Sequence, residues 1–181
     1  MGRSWLIVFV LSLVLSCIND INNKGSGNTS KKEVMDLAVK YASEKFKEAK
    51  ISIAPDGIIT VTEGQIILVT PAENRLKYIV DPAEITRGLI DDDSDEDAII
   101  TLYSLKGQYF ETPEHLILIK YVGKLMLNRV IESDMKILNI KNRVITAEVF
   151  SHSLNNPLHD CAECKEIVKY RFQTGDLIRF E

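Results

Sequence analysis

The sequence predicts an α+β fold in which one N-terminal amphipathic helix packs on a curled, mainly antiparallel β-sheet. Residues 31–49 repeat apolar side chains at helical spacing. From Lys50 onward the chain alternates apolar and polar residues in short runs separated by turn-forming residues. The composition shows no second character and no exact internal repeat, so residues 31–181 are expected to form a single domain.

The helix has a sequence-coded start. Ser30 and Glu33 form a capping box, in which the hydroxyl accepts from the Glu33 amide and the carboxylate reaches back to the Ser30 amide. Val34, Leu37, Ala38, Tyr41 and Ala42 then share one face, with lysines and glutamates opposite. Lys45, Lys47 and Lys50 suit the negative end of the helix dipole.

Strands are expected at Lys50–Ala54 and Ile58–Thr62, joined by Pro55-Asp56-Gly57, where Pro fixes φ and Gly supplies a positive φ. Gln65–Thr70 follows, then Arg75–Asp81, Glu84–Ile90, Ala98–Leu105, Leu116–Val122 and Lys124–Val130. Lys136–Ile140 and Arg143–Ser151 precede a final pair, Lys165–Gln173 and Leu177–Phe180, joined through Thr174-Gly175-Asp176. Gaps this short favour antiparallel hairpins.

At 181 residues, 45% hydrophobic and 27% charged, the chain can bury an ordinary core. The net charge is −4; without residues 1–16, which hold Arg3 and no acid, 21 basic face 26 acidic residues, or −5. That balance repels phosphate backbones, and no basic stripe interleaved with aromatics is present, so nucleic acid is not expected as a partner.

The beginning of the chain carries the clearest address. Arg3 precedes an eleven-residue apolar run, Trp5–Leu15. A bilayer span needs about 20 residues, so the run is short for a membrane helix and suited to a signal-peptide core. It ends in Val14-Leu15-Ser16-Cys17, which resembles the bacterial lipobox. The resemblance implies a signal peptide over residues 1–16 and a Cys17 that carries lipid at the new amino terminus. Leu15 stands where a smaller residue is more usual. Residues 17–30, rich in Asn, Gly and Ser, would then be a flexible tether holding the domain off the membrane. Ile18 after the cysteine, rather than aspartate, resembles outer-membrane sorting in enteric bacteria. The expected location is the cell membrane or outer membrane, with the domain in the periplasm or at the cell surface.

Two segments could carry chemistry. Asp91 to Asp97 places six carboxylates in seven residues. Repulsion, on the order of 1 kcal/mol per close pair, disfavours an extended strand there and favours a curled loop. One reading is a solvated acidic turn between strands. The other is a weak Ca²⁺ site, because alternate carboxylates in a loop suit a hard cation. Gly88–Thr101 resembles the calcium loops of FG-GAP repeats, which would assign Asp91, Asp93 and Asp97 as metal ligands. Leu89 replaces the first carboxylate of that pattern and Ser94 its glycine.

The second segment is Asn155–Cys164. With Cys17 lipidated two cysteines remain, and an oxidising compartment favours a Cys161–Cys164 disulfide. Alternatives are thiol redox chemistry at the same pair, or zinc held by His152, His159, Cys161 and Cys164. His152 or His159 beside Asp160 is also the seed of a hydrolase site, whereas His115 is expected at a surface or sheet edge. No nucleophile elbow, phosphate-binding glycine loop or HExxH motif occurs.

The combination of lipobox, polar tether, one helix, acidic hairpin and late Asp-Cys segment is similar to lipoproteins of Bacteroidetes-type bacteria whose function is unassigned. It implies a non-catalytic envelope protein that binds a protein or glycan component.

Overall fold

The computed structural model describes residues 28–48, 59–62, 65–69 and 76–181. The expected signal peptide, residues 17–27 of the tether, and the Lys50–Ala54 strand with its Pro55-Asp56-Gly57 turn lie outside the described residues.

Helix α1 spans Lys31–Glu48. Its capping box forms as expected: the Glu33 amide donates to Ser30 Oγ at 3.1 Å, and the Ser30 amide donates to Glu33 Oε2 at 3.1 Å. Hydrogen bonding from the Ser30 amide, and from the Ser30 side chain, holds the Glu33 carboxyl below its ordinary pKa. Val34, Met35, Ala38, Tyr41 and Ala42 are buried, so the face read from the spacing is the one that packs.

The strands are β1 (Ile59–Thr62), β2 (Gln65–Val69), β3 (Leu76–Gly88), β4 (Asp97–Lys106), β5 (Tyr109–Phe110), β6 (Glu114–Tyr121), β7 (Lys124–Glu132), β8 (Met135–Lys141), β9 (Val144–Phe150), β10 (Lys165–Gln173) and β11 (Asp176–Arg179). All described pairings are antiparallel. Among the described residues the fold is therefore α+β, with one α-helix on antiparallel sheet. In two respects it differs from the expected picture. The helix starts thirty residues into the chain and is not N-terminal. The strands do not form one curled sheet but two: β1-β2-β3-β4-β6-β7, with β5 beside β4, and β11-β10-β9-β8.

The reason is visible in β4 and β6. Ala98, Ile100, Leu102, Leu116 and Leu118 point to α1, while Ile99, Ile117 and Ile119 point to the opposite face. Strands this apolar on both faces need cover on both sides. The second sheet supplies it with Ile140, Ile145, Tyr170, Phe172 and Leu177. The result is three layers, helix on sheet on sheet.

Pro82 does not separate two strands as expected; β3 runs through it. Four residues, 81–84, stand opposite Thr101, and Asp81 Oδ1 accepts the Ala83 amide at 2.7 Å. A bulge absorbs the proline without ending the ladder. At the end of β3, a Cβ on Gly88 would lie 2.7 Å from Ile140 Cβ, so glycine is what lets β8 cross β3 closely.

Candidate functional site

The acidic segment curls, as its repulsion demands. Asp91 Oδ1 accepts the Asp93 amide at 3.0 Å and Asp93 Oδ1 accepts the Asp95 amide at 2.8 Å, two successive side-chain-to-backbone turns. Asp97 departs from the solvated picture. It is fully buried at the start of β4, and its Oδ2 accepts the amides of Ile90 at 2.8 Å and Asp91 at 3.4 Å. Its Oδ1 accepts the Lys120 amide at 2.9 Å. Burial raises the Asp97 carboxyl above its ordinary pKa, against the pull of those amides. Burial likewise raises Asp91, with Asp93 and Asp92 adding repulsion.

Asp91 and Asp93 thus sit in the loop and Asp97 at the start of β4, where Asp97 faces inward while Asp93 is exposed. Among the described residues no three His, Cys, Asp or Glu side chains converge as a metal-holding group. On the other flank, Glu96 takes the Thr29 amide at 2.9 Å, fastening the chain just before α1 to the same loop.

Arg143 closes the loop from the second sheet. Its Nη2 donates to the Asp92 carbonyl at 2.9 Å, and its Nη1 lies 3.6 Å from Asp92 Oδ1. Asn142 and Arg143 form the two-residue turn between β8 and β9, both at positive φ (52° and 62°). Thr174 and Gly175 do the same between β10 and β11 (52° and 82°). Between these turns and the acidic loop opens a cleft of about 580 Å³. Asp91 and Asp92 line it from the acidic loop, Asn142 and Arg143 from the β8–β9 turn, and Phe172 and Thr174 from the end of β10 and the turn that follows. The Arg171 guanidinium also lies 4.9 Å from the centroid of the Phe180 ring.

Cys161 and Cys164 are joined as a disulfide, with Cα atoms 5.2 Å apart. A short 3₁₀ turn, Ala162–Cys164, leads into β10, and the Ser151 amide donates to the Cys164 carbonyl at 2.7 Å. The bridge fixes the strand entry, and thiols committed to it are not available as zinc ligands or as a dithiol. In the same segment, Asn155 accepts the Phe110 amide at 2.9 Å and donates to the Phe110 carbonyl at 2.7 Å, pinning β5 as a neighbouring strand would. Two residues are too few to carry an alternation, so β5 has no signal in the sequence.

His159 stacks on Phe150, with centroids 4.1 Å apart and planes at 19°, and its Nδ1 lies 3.1 Å from Asp160 Oδ1. The two line a hollow of about 160 Å³ with Tyr103, Asp134 and Lys136. No serine, threonine or cysteine lines it. Burial and the neighbouring Glu84 push the Tyr103 hydroxyl up to about 12.

His115 is the clearest misplacement. It lies on β6 with no exposed surface, its Nδ1 3.0 Å from Thr101 Oγ1 and its Nε2 3.0 Å from the Ser133 carbonyl. A carbonyl can only accept, so Nε2 carries the proton and Nδ1 accepts from the threonine hydroxyl. Burial lowers its pKa to about 4. The preceding Pro113-Glu114 suggested an edge, but β6 lies between β4 and β7. Glu114 itself is buried and accepts the Tyr41 hydroxyl at 2.7 Å, a link from α1 to the sheet that spacing did not reveal.

Among the described residues no helix is long and apolar enough to cross a membrane. No family model, curated protein or solved structure matches the chain.

Proposed function

We propose that the chain is a non-catalytic cell-envelope lipoprotein, anchored through lipid on Cys17, whose domain binds a protein or glycan component of the envelope. The observation that carries this reading is the apolar run closed by Val14-Leu15-Ser16-Cys17 and followed by a polar tether. The disulfide supports it, since bridged cysteines belong to oxidising compartments and here use up the other two thiols. Several acyl chains, at about 0.8 kcal/mol per buried CH₂, make such an anchor permanent on a cellular timescale.

Binding is favoured over hydrolysis by what surrounds His159. Its burial is accounted for by stacking on Phe150 and by its bond to Asp160, and the hollow beside it brings no hydroxyl or thiol nucleophile of the Ser, Thr or Cys type. The larger cleft beside the acidic loop is the better candidate for a ligand. Fractionation of cells expressing the wild-type chain and Cys17→Ser tests the anchor. The wild type is expected in membranes and the variant in soluble fractions, with processing of the wild type blocked by globomycin. Membrane association of both would contradict it.

A further inference from the structure

We infer that the tip of the β6–β7 hairpin, Tyr121-Val122, is a second point of contact with the lipid surface to which Cys17 anchors the chain. The inference rests on that anchor for the direction in which the domain faces.

A short run of contacts leads from the tether to the tip. The Thr29 amide donates to Glu96 Oε2 at 2.9 Å, and the Thr29 hydroxyl donates to the Glu96 carbonyl. Asp97, the next residue, accepts the Lys120 amide at 2.9 Å, and Tyr121 follows Lys120. The chain arriving from Cys17 therefore joins the domain at the end where the β6–β7 turn stands. Twelve residue steps separate Cys17 from Thr29, a reach of at most about 40 Å. Strand β4, ten residues long, runs about 30 Å from this end of the domain to the other. Bringing the far end to the membrane would need most of the tether drawn out along the domain. Bringing the near end there needs little of it.

The tip suits an apolar surface better than it suits its own turn. Tyr121 is 67% exposed and Val122 70%. Val122 and Gly123 form a two-residue turn, both at positive φ (51° and 75°). Asn, Asp or Gly fit the first position of such a turn, and a β-branched side chain is strained there. Among the described non-glycine residues at positive φ, Val122 alone is apolar; the others are Asn142, Arg143 and Thr174. Neither folding nor solubility selects an exposed valine at that angle, which points to a contact outside the domain. A bilayer interface supplies one. The valine methyls leave water there, and a tyrosine ring rests at headgroup level with its hydroxyl still wet. Because the anchor makes this contact intramolecular, a small apolar tip is enough to bias how the domain sits. The acidic loop lies at the same end, so an uncharged surface suits the contact better than an anionic one.

The test supplies the anchor chemically. The chain from Cys17 onward, which keeps every described residue, is coupled through the Cys17 thiol to a maleimide lipid in phosphatidylcholine vesicles; the other two cysteines are held in their disulfide. It lacks Trp5, the one tryptophan of the sequence, so Tyr121→Trp and Tyr109→Trp each carry a single fluorophore. Tyr109 is 70% exposed but lies past the far end of β4. Tyr121→Trp should shift to the blue on coupling and lose about half of its emission to nitroxide-labelled lipid, whereas Tyr109→Trp should do neither. Adding Val122→Asn, which fits the turn, should raise the melting temperature and yet sharply reduce the quenching. An unquenched Tyr121→Trp, equal quenching of the two variants, or quenching indifferent to Val122→Asn would overturn the contact. A blue shift that grows with protein concentration and needs no lipid would also overturn it, and would assign the tip to a second copy of the chain. These failures concern the tip alone, since the anchor is built in; absence of acyl groups on Cys17 in cells is read separately by mass and removes the anchor.

Discussion

Asp97 Oδ1 accepts the backbone amide of Lys120 at 2.9 Å, tying the start of β4 to the end of β6 from inside the protein. Its other oxygen holds the amides of Ile90 and Asp91, so one side chain gathers two strands and a loop.

Asp97→Asn should therefore be costly despite its small size. An amide presents one oxygen and one NH₂, and the NH₂ end would face a backbone N–H wherever it points. A buried donor left without an acceptor, together with the lost charge-assisted bonds, should cost about 2–4 kcal/mol. Urea denaturation checks this; a loss under 0.5 kcal/mol, the size of an ordinary surface change, would remove Asp97 from its structural role.

His115 should make stability fall in mild acid. Its folded pKa, about 4, lies below the ordinary value of 6.5, so the unfolded chain takes up the proton first. The neutral ring's stabilising contribution is complete above pH 6.5 and is lost as pH falls from there to about 4. At about 1.4 kcal/mol per pKa unit the whole effect is about 3 kcal/mol. Denaturation of wild type and His115→Gln between these limits isolates it from the carboxylates. The difference between the two should narrow as pH falls, and a constant difference would rule out a buried neutral imidazole.

Gly88→Ala should destabilise the contact between the sheets. The added methyl meets Ile140 Cβ, Cγ2 and backbone oxygen at 2.7–2.8 Å, and the carbonyl cannot move without moving β8. Overpacking of this kind costs about 1–3 kcal/mol. A melting temperature equal to that of the wild type would show that the sheets do not cross so closely.

Reducing the Cys161–Cys164 bridge should cost little globally, about 1–2 kcal/mol, because so short a ring restricts few unfolded conformations. Its effect should be local, in the amides of Ser151, His159 and Cys164, which border the bridge. Global unfolding on reduction would contradict that placement.

Calcium should leave the melting temperature unchanged relative to EDTA. The loop's carboxylates accept its own amides, and Arg143 already sits against Asp92. A rise in millimolar CaCl₂ that disappears in Asp93→Ala would instead support the Asp91, Asp93 and Asp97 ligand set.

The regular elements were legible because local chemistry specifies them. The Ser30–Glu33 box marks the helix start, and Val168, Tyr170 and Phe172 alternate with Lys169 and Arg171 along β10. What escaped was non-local. Pro82 reads as a break, but a bulge is an equally good answer to a proline and only the β3–β4 register chooses it. That β4 and β6 are covered twice was written in the unbroken runs Ala98-Ile99-Ile100 and Leu116-Ile117-Leu118, which deny a solvent face. Repulsion among neighbouring carboxylates specifies the curl of the acidic loop, whereas Asp97's burial depends on the Lys120 amide, twenty-three residues away. Arg143 and the cleft it frames join three segments with no shared sequence signal.

Intact-mass and N-terminal peptide measurement of the mature chain, isolated from bacterial membranes, bears most directly on what this protein is. Lipidation predicts a chain beginning at Cys17 with a thioether-linked diacylglyceryl group. An N-terminus elsewhere, or a Cys17 free of fatty acid, would contradict it.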